Sequence, residues 1–368
     1  MPAVSLRLVI TGGGTGGHLF PGIALAQGLM ARTDVARLLF IGTDRQIDKV
    51  ALDGLEFDRA VLNCAGLKGK GLPGTLTALF RLPLALLQAW RILRDFRPNL
   101  VFGVGGYVTG PVLLAARLLR VPVCIHEQNS VPGLANRLVS RVATRIFLAI
   151  PCTPAFPRSK SVLAGNPVRS AILQAAATKR PFLPDKTQVT LLVLGGSQGA
   201  HRVNLLLVSA VKILLESGHT EVDILHQTGS ADEEFVRKAY DALGVKAKVQ
   251  PFFTDMAGCY QQVDLVVSRA GATTLAELAV MGLPAVLIPY PHAADDHQTG
   301  NARHYAAKGG ALVLEEDELT GQQLGEQLSA LLDDRKKLAM MGAAMKELAV
   351  PQATSVIVES CLELLKKR

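Results

Sequence analysis

Short apolar runs recur along the chain, each about one strand long and each followed by a segment with apolar residues at helical spacing. In the first half these runs are VSLRLVI, RLLFIG, NLVFGVGG, VPVCIHEQ and TRIFLAI. The alternation predicts a parallel sheet built from βα units, because crossover helices cover both sheet faces and leave the strands continuously apolar. From Pro151 to Pro184 the periodicity fades into the Pro-dense PCTPAFPRSKSVLAGNPVR and RPFLPDK, the expected domain boundary. A second series follows: VTLLVLGGSQGA, VDILHQTG, AKVQPF, VDLVVSRAGA, LPAVLIPYP and GALVLEE. The closing QATSVIVESCLELLKKR reads as a helix whose Lys and Arg complement its C-terminal dipole. The expected fold class is α/β: two Rossmann-like parallel-sheet domains, residues 1–163 and 164–350, facing a cleft beyond their strand ends. Residues 351–368 are a candidate to pack back on the first domain.

Composition agrees with this division. A chain of 368 residues exceeds one compact core, and 49% hydrophobic residues with 5% aromatics describe aliphatic interiors. The N-terminal apolar run is interrupted by Arg7 and too short for a signal peptide. No stretch approaches the roughly 20 apolar residues that span a bilayer. Five scattered cysteines without a Cys-x-x-Cys pair suggest neither a disulfide framework nor a zinc site, so a reduced, cytoplasmic protein is expected. The net charge of +8 favours anionic partners. Nucleic acid is not expected, because the basic residues are not interleaved with stacking aromatics.

The candidate chemistry lies in Gly-rich turns. In TGGGTGGHLFPG, from Thr11, a turn between strand and helix presents unpaired N–H groups at the positive end of a helix, an anion site suited to phosphate. Gly12 to Gly17 allow close backbone approach, and Thr15 adds a hydroxyl. The loop lacks the Gly-Lys-Ser/Thr ending of a P-loop and the spacing of a dinucleotide fingerprint, although Asp44 follows the second strand. Three further turns repeat the arrangement: GVGGYVTGP (Gly103 to Pro111), GGSQGAH (Gly195 to His201) and RAGATTLAE (Arg269 to Glu277). Four such sites suit two phosphorylated molecules rather than one cofactor. In the last turn Thr273 and Thr274 stand where hydroxyls can cap a helix, and Glu277 fits either a capping box or a carboxylate receiving a ribose diol. Asp295 and Asp296 are adjacent rather than spaced Asp-x-Asp, and no metal is expected.

In order, GGTGGH, GVGGYVTGP, HEQN, GNPVR, GGSQGA, RAGATTLAE and DHQTGNA run from Thr11 to Ala302. This set resembles the peptidoglycan N-acetylglucosaminyltransferase (MurG) family. The resemblance implies a GT-B fold and inverting transfer of N-acetylglucosamine from UDP-N-acetylglucosamine to the 4-hydroxyl of the muramoyl-pentapeptide of lipid I, giving lipid II of the cell wall, without a cofactor. It further implies a peripheral protein on the cytoplasmic face of an anionic membrane, with cell-wall synthesis and division proteins as partners.

Carried onto this chain, the resemblance gives the donor to Ser197, Gln198, Phe253, Ala272, Thr273, Thr274, Leu275, Ala276, Glu277, Gln298 and Asn301. Arg169 neutralises the departing UDP, and Thr15, Gly16, Gly17 and Asn129 reach the donor sugar. His297 stands where some members of the family have Gln. The acceptor diphosphate falls to the first two Gly loops, through Gly13, Gly14, Gly105, Gly106 and Tyr107, with position 104 grouped among the glycines of the second loop. His18 is the expected base for the acceptor hydroxyl, its ordinary pKa being suited to taking a proton, with capping of the helix as its plain alternative. Glu127 is the competing base, and His126 is read as structural. In LKGKGLPGTLTALFRLPLALLQAWRILRDFRP, Leu76, Leu79 and Phe80 are expected to be exposed as a membrane patch, and the other apolar residues to be core.

Three rivals share parts of this pattern. A glycolipid synthase of the same fold would lack GGTGGH followed by HEQN. An epimerase needs acidic residues to move the proton at carbon two, and the sequence offers no convincing set. A silent sugar-nucleotide-binding subunit would be expected to lose His18, Glu277 or Gln298, all of which are present.

Overall fold

The computed structural model describes residues 6–32, 35–64, 71–180, 182, 188–196 and 199–366, with the side chains of 46, 47, 50 and 71–81 outside that description. It divides into two compact units, residues 1–169 with 351–368, and residues 170–350. The division falls after Arg169 rather than after residue 163, so Arg169 belongs to the first unit.

The first unit runs β1 (Leu6–Thr11), α1 (Gly16–Met30), β2 (Val35–Gly42), α2 (Gln46–Leu52), β3 (Asp58–Val61), α3 (Gly71–Phe96) and β4 (Leu100–Gly103). It continues through α4 (Thr109–Leu118), β5 (Val123–Glu127), α5 (Leu134–Val139), β6 (Arg145–Leu148) and β7 (Ser161–Leu163). The second unit runs α6 (Ser170–Thr178), β8 (Val189–Leu194), α7 (His201–Glu216), β9 (Val222–Gln227), α8 (Glu233–Ala242), β10 (Ala247–Gln250), α9 (Met256–Gln262) and β11 (Leu265–Ser268). It ends with α10 (Ala272–Met281), β12 (Ala285–Leu287), α11 (His297–Ala306), β13 (Ala311–Val313), α12 (Gly321–Asp333) and α13 (Arg335–Glu347). The terminal helix α14 (Ala353–Lys366) returns to the first unit.

Both sheets are parallel, in the orders β3-β2-β1-β4-β5-β6-β7 and β10-β9-β8-β11-β12-β13. Successive side chains on a strand point to opposite faces. Leu8 and Ile10 of β1 therefore join a core with α1 and α14, whereas Val9 joins one with α3, α4 and α5. Two covered faces account for the unbroken apolar strands. The edge strands β3 and β7 escape the sequence pattern because each has at most one neighbour and little buried surface.

Helix α14 presents Ile357, Val358, Cys361 and Leu362 to the first core. It lies so close to α1 that a Cβ at Gly28 would stand 2.5 Å from Thr354 Cγ2. On α3, Ala85, Ala89, Leu93 and Phe96 are buried, but Leu82, Leu84 and Leu87 are exposed, Leu84 to 67%, correcting the expectation that they are core. The expected patch at Leu76, Leu79 and Phe80 falls on side chains outside the described set. No helix among the described residues is long and apolar enough to cross a membrane.

Gly28→Val should separate α14 from α1 at a cost of about 1–3 kcal/mol, the usual range for overpacking. Limited proteolysis should then release the C-terminal segment faster than in the unsubstituted chain, and an unchanged cleavage rate would contradict this packing.

Candidate functional site

In each sheet the strand order reverses once, between β1 and β4 and between β8 and β11. Ligands of open α/β sheets collect beyond the strand ends at such a reversal. Pairing brings the flanking strands to an end level with one another, Thr11 with Gly103 and Leu194 with Ser268. The four Gly turns found in the sequence are therefore two adjacent pairs, one on each unit.

In the first unit the two turns interlock. Gly13 and Gly14 have φ of 130° and 83°, Gly105 and Gly106 of 101° and 86°, all in the region that glycine alone enters readily. A Cβ at Gly106 would stand 2.7 Å from Gly13 O, and one at Gly105 only 2.5 Å from His18 Cδ2. Thr15 is the N-cap of α1 without a side-chain cap bond, and His18 is the third helical residue. The His18 Nδ1 and Thr15 Oγ1 atoms are 3.1 Å apart. His18 therefore lies over the second turn and bonds the residue that opens its own helix. Gly16 and Gly17 fill the positions between, and Tyr107 packs near Gly14.

Position 104 does not belong with the glycines of the second turn: it is Val104, a core residue at 1% exposure. Its N–H is donated to Thr11 O at 2.9 Å, and its carbonyl accepts Gln128 Nε2 at 2.7 Å. With both backbone groups engaged and its side chain among the apolar residues of β1 and α1, Val104 offers nothing to a diphosphate. It serves the site from beneath, because its Cγ2 lies 2.3 Å from where a Cβ at Gly12 would stand.

Asp48, which the sequence reading did not single out, braces this arrangement. Its buried carboxylate accepts the Gly14 N–H at 2.9 Å, the Thr43 N–H at 2.9 Å and the Thr43 hydroxyl at 2.6 Å. Arg45 donates to Gly14 O at 2.8 Å. The available signal was an acid on the same helical face as Ala51 and the buried Leu52. On the second turn, the buried Thr109 hydroxyl donates to Gly105 O at 2.7 Å.

Glu127 ends β5 and is almost fully buried. Its Oε1 accepts the Asn129 N–H at 3.0 Å and Asn129 Nδ2 at 3.2 Å, and its Oε2 accepts the Gly133 N–H at 3.0 Å and Asn136 Nδ2 at 2.9 Å. Burial pushes the carboxyl up, against the opposing pull of these bonds. Four donors occupy the carboxylate, so it organises the HEQN turn and holds Asn129. His126 is fully buried within hydrogen-bond distance of Gly165 O, at 3.0 Å, and burial pushes its pKa down to about 4, so it stays neutral near pH 7. Arg169 stacks on Phe20 of α1, 4.6 Å from the ring centre.

In the second unit Gly196 and Gly199 have φ of 85° and 77°, and a Cβ at Gly199 would stand 2.3 Å from Thr228 O. Ser197 and Gln198 lie outside the described residues. Phe253 is buried, and its N–H is donated to Gln227 Oε1 at 2.9 Å, while Gln227 Nε2 donates to Gly196 O at 3.1 Å. Gln227, a second residue missed in the sequence, thus ties the Gly196 turn to the Phe253 segment. Its signal in the sequence was a polar residue at the end of a strand, just before the Thr-Gly turn.

Helix α10 begins at Ala272 after the N-cap Gly271, with no side-chain cap. Thr273 and Thr274 are therefore in the first turn rather than at the cap, and Glu277 is the sixth helical residue, too far along for a capping box. Leu275 is fully buried and donates its N–H to Gly271 O at 3.0 Å, so its side chain packs the core rather than lining a ligand; Ala272 and Ala276 are half-buried. The Glu277 side chain is buried and receives the Tyr260 hydroxyl at 3.0 Å. Gln298 Oε1 accepts the N–H groups of Ala270 and Tyr290 at 3.2 and 3.0 Å, and Asn301 Nδ2 donates to Ala270 O at 3.2 Å. Both polar groups of the Ala270 backbone are held from α11. Arg269 pairs with Glu316 and donates to the carbonyls of Ile288 and Pro289 at 3.1 and 3.2 Å. Asp295 and Asp296 are exposed, and among the described residues no group of three or more His, Cys, Asp or Glu is placed to hold a metal.

Two family models match the chain: the glycosyltransferase family 28 N-terminal domain over residues 8–148 and the C-terminal domain over residues 190–357. The chain is 46% identical to the UDP-N-acetylglucosamine–N-acetylmuramyl-(pentapeptide) pyrophosphoryl-undecaprenol N-acetylglucosamine transferase of Desulfotalea psychrophila, covering 98% of this chain and 97% of the relative. A crystal structure of Acinetobacter baumannii MurG is similar with a TM-score of 0.77 and 32% identity, covering 99% and 100% of the two chains. A putative UDP-N-acetylglucosamine 2-epimerase from Listeria monocytogenes shares the fold, with a TM-score of 0.70 at 14% identity and coverage of 99% and 98%.

Gly105→Ala places a methyl group where the His18 ring lies. Histidine-selective NMR should show His18 shifted and His226 of the second unit unmoved; an undisturbed His18 signal would contradict the interlock.

Proposed function

The chain belongs to glycosyltransferase family 28, and from that membership we infer that it transfers N-acetylglucosamine from UDP-N-acetylglucosamine to N-acetylmuramyl-(pentapeptide) pyrophosphoryl-undecaprenol, lipid I, forming lipid II in peptidoglycan synthesis. Near-full-length identity to a transferase of that name carries the reading. The paired turns at both sheet reversals support it, because each offers N–H groups and helix N-termini to a diphosphate.

The second unit takes the donor. Glu277 accepts the ribose hydroxyls, and the carbonyl of Phe253 meets the uracil edge, its N–H being held by Gln227. The N-termini of α7 and α10 face the diphosphate, and by the family resemblance Ser197 and Gln198 contact it. Gln298 offers its amide NH2 to the sugar, since its oxygen is engaged by Ala270 and Tyr290. Fully buried Asn301 acts through Ala270 rather than by touching the sugar.

The first unit takes the acceptor, with Gly13, Gly105, Gly106 and Tyr107 around its diphosphate, while Gly14, whose N–H and carbonyl are held by Asp48 and Arg45, shapes the turn. The 4-hydroxyl oxygen attacks the anomeric carbon, the bond to the UDP oxygen breaks, and UDP leaves with the bonding pair, inverting the centre. His18 takes the hydroxyl proton: in the tautomer that donates Nδ1–H to Thr15 Oγ1, Nε2 is the basic site. Glu127 positions Asn129 instead of serving as base, because protonation would break hydrogen bonds it already accepts. Arg169 balances the charge that develops on the leaving diphosphate.

A polyprenol-anchored acceptor requires work at a membrane surface, which we place at the cytoplasmic face. Exposed Leu82, Leu84 and Leu87 of α3 and Leu114 and Leu118 of α4, together with Arg91, Arg94 and Arg117, support an interfacial surface on this unit.

Purified protein given labelled UDP-N-acetylglucosamine should form a disaccharide lipid only when a lipid I analogue is present; no acceptor-dependent product would sink the reading. His18→Ala should lower turnover roughly 100- to 10,000-fold, the range for a lost general base, without changing donor affinity. A near-normal rate would remove His18 as base.

A further inference from the structure

Glu277 is 4% exposed, and a carboxylate so buried needs hydrogen-bond donors to remain a useful acceptor. One donor is Tyr260 of α9, whose hydroxyl lies 3.0 Å from Glu277 Oε2. The Tyr260 ring is itself buried, at 1% exposure, so it is locked by packing and does not reach a ligand.

The backbone around Tyr260 is equally constrained. Helix α9 starts at the N-cap Asp255, whose side chain accepts the Gly258 N–H at 2.9 Å. Two residues before that cap is Phe253, whose N–H is held by Gln227. One short segment therefore carries both the residue assigned to the uracil edge and the hydroxyl that grips the carboxylate assigned to the ribose. Its stiffness sets the spacing between those two contacts.

We propose that Tyr260 is a positioning residue for donor recognition: through its hydroxyl it fixes the Glu277 carboxylate at the distance from Phe253 that a uridine ribose requires. The proposal rests on the assignment of Glu277 to the ribose. Tyr260 acts through one carboxylate oxygen, so its effect reaches the ligand only when the ligand carries ribose hydroxyls.

The test is titration calorimetry of the full chain with UDP and with 2′,3′-dideoxy-UDP. Tyr260→Phe keeps the ring volume and removes only the hydroxyl. It should weaken UDP about tenfold, as loss of a hydrogen bond to a charged group does, and leave dideoxy-UDP unchanged within about twofold. Glu277→Ala should bring UDP down to the dideoxy-UDP affinity, and adding Tyr260→Phe to it should do nothing more. The ratio of the two affinities, taken on one preparation, is independent of the fraction of active protein. Tyr260→Phe with an unchanged ratio, or with equal loss for both ligands, overturns the positioning role while Glu277→Ala still upholds the ribose assignment. Retention of the UDP preference in Glu277→Ala overturns both.

Discussion

The contact on which the first unit's site depends is the one between an imidazole and a bare backbone. His18 lies where a side chain at Gly105 would be, and Gly106 lies against the carbonyl of Gly13. Two strand-to-helix turns, separated by some ninety residues of sequence, interlock because neither carries a Cβ at the crossing. That close approach needs positive φ angles and an anchored backbone, and Asp48 supplies the anchor by accepting N–H groups from Gly14 and Thr43. Remove the glycine and the ring must move; remove the carboxylate and a buried turn loses its partners, at about 1–3 kcal/mol for each orphaned group.

The two buried acids of the first unit have their hydrogen-bond capacity filled from within the protein. Asp48 and Glu127 are both buried and both filled by N–H and O–H donors, so taking a proton would cost each of them existing bonds. His18 is half-buried, with Nδ1 beside the Thr15 hydroxyl and its ring over Gly105. The same logic governs the second unit. Side chains of Gln298 and Asn301 clamp Ala270, Gln227 ties Gly196 to Phe253, and the turns that present helix N-termini are thereby held before any ligand arrives. Fixed dipoles of this kind stabilise developing charge without having to reorganise.

Much of this was legible in the residues. The apolar runs marked five of the seven strands of the first sheet and all six of the second, because buried central strands must be apolar on both faces. The edge strands β3 and β7 left no such trace. Leu84 looked like core because amphipathic spacing ranks positions around a helix without saying which of them lacks a neighbour. Thr273 and Thr274 looked like caps because their chemistry suits that place, yet the helix starts at Ala272, with Gly271 at the cap, so both threonines fall inside the first turn. Position 104 was swept into a glycine turn by its neighbours, whereas the valine there faces the core.

The sequence by itself determined the repeated strand, glycine turn and helix, and hence the α/β class, the number of glycine turns and the family. These are local properties, set by side-chain period and by the absence of a Cβ. Only the tertiary structure decided that the turns fall in pairs at the reversal of each sheet, that Glu127 is filled while His18 stands over Gly105, and that Asp48, Gln227 and Tyr260 hold the site together. Apart from the local bonds that fill Glu127, those contacts join residues well separated in the chain, and they form only once parallel pairing has set the strand ends level.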